Sequence, residues 1–220
     1  LGARGIHLRF LSPLGHARRT WRSIGYRPEE FLAFYREGLE ACIEAHREGP
    51  PFFELIARVF LAKILHGRDL NYMDLRSPCG AGIGQLAYDH DGTVYPCDEA
   101  RLLRAGGDDA FRLGPAAELG PREAARHPTV RALTQASLLD SQAHCSACAY
   151  KPFCGVCPVL EYAAHGDLFG RAHRSMRCRV YMGVQDLLFR KLEDPASRAV
   201  LEEWARPPGG ARPDPLERRS

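Results

Sequence analysis

The sequence has 220 residues, of which 45% are hydrophobic and 26% are charged, a composition typical of a folded globular protein with one large or two small domains. No apolar run approaches the roughly 20 residues that cross a bilayer, and no signal peptide is evident. We therefore expect a cytoplasmic protein without a membrane partner. The net charge is only +3 and the arginines are interleaved with acids, which argues against a nucleic-acid partner.

Residues 5–11 predict a strand. Their apolar side chains alternate, which places Ile6, Leu8 and Phe10 on one face, as in a half-buried strand. A single strand leaves its backbone hydrogen-bonding groups without partners. The sequence also enters this apolar run directly from Leu1. Either a partner supplies the neighbouring strands, or this is the last portion of an α/β domain whose earlier strands precede this chain, and we expect the second.

Two amphipathic helices are predicted next. The first has Pro28 in its first turn and ends at Gly49. Its apolar stripe comprises Phe31, Leu32, Tyr35, Leu39, Cys42 and Ile43. The second begins near Phe53 and ends at Gly67. Because Cys42 lies on the stripe and far from the other cysteines, we interpret it as a buried small side chain and not as a metal ligand.

Residues 79–97 predict a β-hairpin between two cysteines. Strand-like segments 85–88 and 93–97 flank an Asp-His-Asp-Gly turn, so Cys97 ends the second strand and faces back toward Cys79. The glycines after Cys79 have no strand before them and no helix after them, unlike a dinucleotide-binding loop. We interpret them as allowing backbone N–H groups to approach a metal-bound sulfur.

The second half of the chain predicts two helices around a cysteine cluster. Residues 98–127 are rich in loop-forming residues, and a helix is predicted from Pro128, with apolar residues Val130, Leu133 and Leu138. Residues 161–174 are polar and contain glycines. Ser175 then caps a second helix. One face of that helix carries Cys178, Tyr181, Met182, Gln185 and Phe189. The tail from Pro207 has too few apolar residues to order itself.

Four cysteines lie within the thirteen residues of Cys145–Cys157, as two CxxC pairs separated by five residues. Such short loops strain a disulfide. A zinc ribbon usually separates its two pairs by roughly 15–20 residues, and one zinc ion would leave the three outlying cysteines unexplained. Iron–sulfur clusters fit better, because they take thiolates from short-spaced groups and one distant position. Seven cysteines divide as four and three, and His90 or His144 is available to complete the smaller set.

This framework of seven cysteines, together with Gly92, resembles the SPASM extension of radical S-adenosylmethionine enzymes. It runs from Cys79 to Cys178, and the resemblance covers about residues 78–188. One departure is that two residues, and not three, separate the fifth cysteine from the sixth. The sequences around the cysteines look more narrowly like the radical maturase of His-Xaa-Ser peptide systems.

The resemblance implies two auxiliary 4Fe–4S clusters with interleaved ligands. The ligands of the first cluster would be Cys79, Cys97 and Cys157. The ligands of the second would be Cys145, Cys148, Cys154 and Cys178. Several members of the family have an extra cysteine soon after the first one, but here Gln85 and its neighbours are not cysteine. The first cluster is therefore expected to have three cysteine ligands.

The CxxxCxxC motif that holds the catalytic cluster of radical S-adenosylmethionine enzymes does not occur in this sequence. The resemblance therefore implies that residues 1–75 are the last strand and helices of a partial TIM-type barrel. Residues 76–190 would be the SPASM domain, and residues 191–220 a short helix with a disordered tail. Arg9 and Ser12, at the carboxyl end of the predicted strand, are expected to face the S-adenosylmethionine or substrate pocket.

The expected fold is thus α/β, a barrel remnant followed by a loop-rich α+β domain. The expected function is that of the auxiliary-cluster portion of a peptide-modifying maturase, inactive on its own. The full enzyme would add S-adenosylmethionine and a third 4Fe–4S cluster. Its expected partners are a precursor peptide, a reductant protein and a companion maturase. The alternative is a stand-alone iron–sulfur or zinc module without radical chemistry.

Overall fold

The computed structural model describes residues 2–206 and shows a helix-rich α/β fold with two small sheets. In the first sheet, strands β1 (Gly5–Ile6) and β2 (Phe53–Glu54) pair in parallel. Helices α1 (Gly15–Ile24) and α2 (Pro28–Glu48) form the connection between them. Parallel strands need such a long crossover because the chain must return to the same end of the sheet.

Strand β2 supplies the partner that the sequence did not reveal. The expectation of a lone strand is therefore wrong, and so is its length, because β1 covers only the first two residues of the predicted run. Ile6 is 44% exposed whereas Phe10 is buried, so the two do not share a buried face. Helix α1 was not predicted, and none of its residues is buried.

The two predicted amphipathic helices are confirmed, with one change at a boundary. Helix α2 begins at Pro28, and it buries Phe31, Tyr35, Leu39, Cys42 and Ile43. Helix α3 spans Leu55–His66 and starts later than expected, because Phe53 belongs to β2. The side chain of Glu54 caps α3 by accepting a hydrogen bond from the backbone N–H of Ala57. Gly67 ends the helix with a φ of 60°, the left-handed conformation that favours glycine.

The second sheet contains the predicted hairpin. Strands β3 (Ala87–Tyr88) and β4 (Thr93–Tyr95) pair antiparallel, and a third strand, β5 (Gly114–Pro115), adds to the other edge of β4. Helix α4 (Asp98–Ala105) begins directly after Cys97. The loop-rich stretch of residues 98–127 thus contains two helices and a strand that local patterns did not predict, since α5 (Pro121–Arg126) also lies there.

Five further α-helices lie within residues 2–206. They are α5 (Pro121–Arg126), α6 (Pro128–Ser137), α7 (Pro158–His165), α8 (Met176–Glu193) and α9 (Pro195–Ala205). The predicted start of α6 is confirmed. Helix α7 reaches into the polar stretch from residue 161, where Glu161 is buried against expectation.

Ser175 caps α8 as predicted, because its side-chain oxygen accepts a hydrogen bond from the N–H of Cys178 at 3.1 Å. The buried face of α8 differs from the predicted one, and Phe189 is 38% exposed. The buried face in the structure comprises Arg177, Val180, Tyr181, Val184, Gln185 and Leu188. It faces this way because α8 packs between α2 and α9. The predicted tail from Pro207 lies outside the described residues.

The two largest hydrophobic cores of residues 2–206 organise the fold. Helices α2, α3, α8 and α9 surround the larger one, which contains Tyr35, Phe60 and Tyr181. The smaller one lies between the hairpin, α4, α6 and α7, and it includes Cys97 and Cys157. The segments that carry cysteines therefore lie against both cores. None of the helices in residues 2–206 is long and apolar enough to cross a membrane.

Candidate metal centre

Five cysteines line one small cavity of about 40 Å³. They are Cys145, Cys148, Cys154, Cys157 and Cys178. The walls between them are mostly apolar, and Cys145 and Cys154 pack against the buried side chains of Leu139, Val156 and Ala172. We call this space the thiol cavity. Thiols that face an apolar enclosure are well placed to bind a soft metal centre away from water.

Tight turns and one helix bring these thiols together. The N–H of Cys148 donates to the carbonyl of Cys145 at 3.1 Å, and the N–H of Cys154 donates to that of Lys151 at 3.3 Å. Cys178 comes from the first turn of α8, where the cap at Ser175 fixes the helix start. Short-range hydrogen bonds therefore fix the backbone at Cys148, Cys154 and Cys178.

Gly155 brings the cysteine segment against the backbone of residues 74–76. A Cβ at this position would lie 2.8 Å from the carbonyl oxygen of Asp74 and 2.9 Å from the backbone nitrogen of Arg76. Both distances are shorter than van der Waals contact, and backbone atoms cannot move aside as a flexible side chain can. The close approach thus requires glycine between Cys154 and Cys157.

A second set of thiols lies in the smaller core. Cys97 is 3% exposed and Cys157 is 7% exposed, and Cys79 packs against the same residues. The N–H of Cys79 donates to the hydroxyl of Ser137 at 3.0 Å, which ties it to the end of α6. Since Cys157 also lines the thiol cavity, it lies in the wall between the two sets.

The thiols influence one another within these two sets. Burial and the neighbouring thiols raise the pKa of Cys145 and of Cys178 to about 11. Burial also raises the pKa of Cys97, with added contributions from Glu99, Cys157 and Cys79. Metal binding would therefore release protons from these groups. The assignment of the seven thiols as cluster ligands stays a prediction.

The spacing of the donors bears on which group would fit. Among residues 2–206, no three His, Cys, Asp or Glu side chains come close enough to hold a single metal ion. Thiolates of a four-iron cluster each bind a different iron, so they stand farther apart than ligands that share one ion. Four of the five thiols that line the apolar cavity, and three thiols in the adjacent core with Cys157 counted there, match such clusters in number and in donor chemistry.

Arg177 lies between the two thiol sets, and the sequence patterns did not single it out. It is only 9% exposed and lines the thiol cavity from the first turn of α8. Its guanidinium donates to the carbonyl oxygen of Asp74 and lies 4.7 Å from the ring centre of Tyr181. Burial raises the pKa of Cys154 in one set and of Cys157 in the other, and the positive charge of Arg177 partly offsets this by lowering both pKa values.

Lys63 is a second basic side chain near the thiol cavity. Its ammonium group donates a hydrogen bond to the carbonyl of Leu75, and its positive charge contributes to lowering the pKa of Cys154. Burial lowers the pKa of Lys63. Only the packing of α3 against the cysteine segment reveals this proximity, because the two residues are far apart in sequence.

Arg9 and Ser12 both line an open cavity of about 710 Å³ beyond the end of β1. The side chain of Arg9 is 50% exposed, and it forms ion pairs with Asp74 at 3.3 Å and with Glu99 at 3.7 Å. Arg9 thus links the segment after β1 to α4 and to the region beside Arg177. A role for either residue in binding S-adenosylmethionine or substrate stays a prediction.

The remaining candidates lie apart from the thiol cavity. The side chain of His90 is 86% exposed in the hairpin turn and contacts Asp89, while His144 stacks on His173 with 3.8 Å between ring centroids. Neither histidine is among the residues that line the thiol cavity, and a role for either beside Cys79, Cys97 and Cys157 stays a prediction. Cys42 is 6% exposed within the larger core, which confirms that it is a buried side chain.

The sequence matches no known protein-family model and no curated protein. Its fold, however, is similar to solved structures of anSMEcpe. Native anSMEcpe with bound AdoMet superposes with a TM-score of 0.61 at 18% identity, over 80% of this chain and 46% of that chain. Native anSMEcpe with bound AdoMet and Kp18Cys peptide gives 0.57 at 18% identity, over 80% and 45%. The chain therefore shares part of the anSMEcpe fold and spans less than half of its length.

Proposed function

We propose that this chain is the auxiliary-cluster portion of a radical S-adenosylmethionine enzyme that modifies a peptide. The observation that carries the proposal is the arrangement of seven cysteines in two adjacent sets, with Cys157 between them. The similarity of the fold to anSMEcpe supports it, because anSME is an anaerobic sulfatase-maturating enzyme and a SPASM radical S-adenosylmethionine enzyme. Its solved structures contain AdoMet and, in two of them, a peptide.

Two 4Fe–4S clusters would be held by the two thiol sets. Cys79, Cys97 and Cys157 would bind the first. Cys145, Cys148, Cys154 and Cys178 would bind the second. When bound, such clusters supply electron transfer. The apolar walls of the thiol cavity would keep water from the second site, and the charge of Arg177 would offset the negative charge of thiolates in both.

The finer parts of the proposal concern the complete enzyme. Residues 1–75 would close a partial barrel and residues 76–190 would form the SPASM domain. A CxxxCxxC motif upstream of this chain would hold the third 4Fe–4S cluster and bind S-adenosylmethionine. A cytoplasmic reductant protein, a companion maturase and a precursor peptide would be its partners. The sequences around the cysteines favour a His-Xaa-Ser peptide system.

Anaerobic reconstitution of the chain with iron and sulfide tests the cluster assignment. We expect about eight irons per chain, since each cluster contains four. Cys148→Ala and Cys178→Ala should each remove the same cluster, whereas Cys97→Ala should remove the other. Iron, sulfide and zinc contents are measured on each variant, with visible and electron paramagnetic resonance spectra to identify which cluster is lost.

Cys42→Ala is the matched control, because it removes a buried thiol from the larger core without touching either thiol set. It should leave the iron content unchanged. One tightly bound zinc ion per chain and no sulfide would contradict the proposal and favour the zinc-binding module.

A further inference from the structure

A second cavity lies beside the thiol cavity, and none of the seven cysteines assigned to the clusters lines it. Its volume is about 410 Å³, and it lies between the segment after β1, helix α7 and the first turn of α8. We call it the α7–α8 cavity. Its apolar walls come from Phe10, Leu11, Pro13, Leu160, Ala163 and Met176. It shares Glu161, Ser175 and Arg177 with the thiol cavity, so the two spaces adjoin.

The floor of the α7–α8 cavity, where it adjoins the thiol cavity, carries a buried carboxylate. Glu161 is 6% exposed, and its Oε2 atom has no hydrogen-bond partner among the described residues. A Cβ on Gly170 would lie 2.7 Å from that atom, so the glycine leaves the carboxylate its space. A buried carboxylate oxygen without a donor is costly. A ligand N–H that enters the cavity would satisfy it.

Arg177 offers the complementary group. Its Nε atom is also buried without a hydrogen-bond partner in residues 2–206, although the other nitrogens of the guanidinium face Asp74. The floor therefore presents one free acceptor, on Glu161, and one free donor, on Arg177. A peptide unit carries one N–H donor and one carbonyl acceptor. This pairing favours a peptide main chain over a ligand of one charge.

The mouth of the α7–α8 cavity is positively charged. Arg18 and Arg174 are exposed there, and within the described part of the chain neither forms an ion pair. The N-terminus of α8, an 18-residue helix, adds the positive end of its dipole at Ser175. Two free arginines and a helix N-terminus on one rim attract a carboxylate.

We infer that the α7–α8 cavity binds an extended peptide segment that carries an acidic side chain. The main chain of the segment contacts Glu161 and Arg177, its apolar neighbours pack on the walls, and its carboxylate reaches Arg18 and Arg174. The inference rests on the proposed function, because it names the kind of peptide that the enzyme selects. Selection acts at a site separate from the thiol ligands.

Calorimetric titration of the reconstituted chain with two probe peptides tests the inference. Acetyl-Leu-Glu-Leu-amide and acetyl-Leu-Gln-Leu-amide have the same shape and differ in one charge. At low salt we expect the first to bind about fivefold more tightly, a factor typical of an exposed ion pair. The double variant with Arg18→Gln and Arg174→Gln should lose this preference. Glu161→Gln should weaken both peptides alike, because Glu161 contacts the main chain.

Arg179→Gln is the matched control, because it removes one positive charge from α8 at a site where Arg179 pairs with Glu29 on α2, outside the cavity. It should keep the preference. The inference is overturned if the wild-type chain binds neither peptide or binds both equally, or if the double variant still discriminates. Iron analysis of the same samples separates the two proposals: an iron-loaded chain without selectivity contradicts only the inference, and a selective chain that takes up no iron contradicts only the cluster proposal.

Discussion

The hydroxyl of Tyr35 donates a hydrogen bond to Oε2 of Glu54 at 2.6 Å, and both side chains are completely buried. The same carboxylate accepts bonds from the N–H groups of Ala57 at 2.7 Å and of Leu8 at 3.0 Å. One buried carboxylate thereby joins the segment after β1 to α2 and to α3. Every donor that it needs in this apolar setting is supplied by another element of the fold.

Tyr35→Phe should destabilise the fold, because it removes one donor from this buried carboxylate and leaves the packing unchanged. A hydrogen bond to a charged group contributes about 1.5–3 kcal/mol, so we expect the free energy of unfolding to fall by that amount. Urea denaturation measures it. Tyr88→Phe is the control, since Tyr88 is 57% exposed, and it should be nearly neutral. Equal stability of the two variants would show that the Tyr35 hydroxyl contributes little.

Arg177 and Arg179 allow a paired comparison on one helix. Arg177 is buried against Asp74 and Tyr181, whereas the side chain of Arg179 is 57% exposed. Removing one partner of a buried ion pair typically costs about 3–5 kcal/mol, while an exposed pair contributes about 0–1 kcal/mol. We therefore expect Arg177→Gln to destabilise the cluster-free chain strongly and Arg179→Gln to have little effect. Similar unfolding curves for both would rule out a structural role for Arg177.

Gly155→Ala should disturb both thiol sets. The added Cβ would collide with backbone atoms of Asp74 and Arg76, so the segment from Cys154 to Cys157 must move away. We expect a loss of about 1–3 kcal/mol in stability, as for overpacked cores, and incomplete iron loading. Gly120→Ala is the control, because its nearest neighbour is the flexible end of the Glu123 side chain. Full iron loading of Gly155→Ala would contradict the requirement for glycine.

The hairpin turn should make stability depend on pH in the acid range. Hydrogen bonds from His90, and then from Arg104, lower the pKa of Asp89 to about 2 from an ordinary value of 3.8. A carboxyl whose pKa is lowered in the folded state stabilises the fold at every pH above the ordinary pKa of 3.8. This contribution is lost as the pH falls toward the folded-state pKa of about 2. Asp89→Asn should therefore lose less stability than wild type between about pH 5 and pH 2.5 in urea titrations. Parallel pH profiles would argue against a role for Asp89.

The sequence predicted the elements whose signals are local. The apolar stripe of α2, the glycine that ends α3, the hairpin turn and the Ser175 cap all depend on residues within a few positions of one another. Backbone geometry and short-range hydrogen bonds decide such features, so their patterns are visible in the chain.

The elements that the sequence did not reveal depend on distant partners. Strand β2 has only two residues and exists because β1 pairs with it across α1 and α2. The polar stretch from residue 161 is typical of an exposed segment. Glu161 is nevertheless buried, because it lies where the residues that line the thiol cavity and the α7–α8 cavity pack together. Burial of a polar residue and pairing of short strands follow from tertiary contacts and leave no periodic signal.

For the cysteine site, too, the sequence predicted some features and the tertiary structure revealed others. The spacing of the cysteines in the sequence was enough to favour iron–sulfur ligands over a single zinc ion and to suggest two sets. The resemblance already assigned Cys157 to the set of Cys79 and Cys97, whereas only the tertiary structure placed Arg177 close to both sets. Ligand spacing is a property of the chain, whereas the charge and burial around a thiol arise when helices α3, α7 and α8 pack against the cysteine segment.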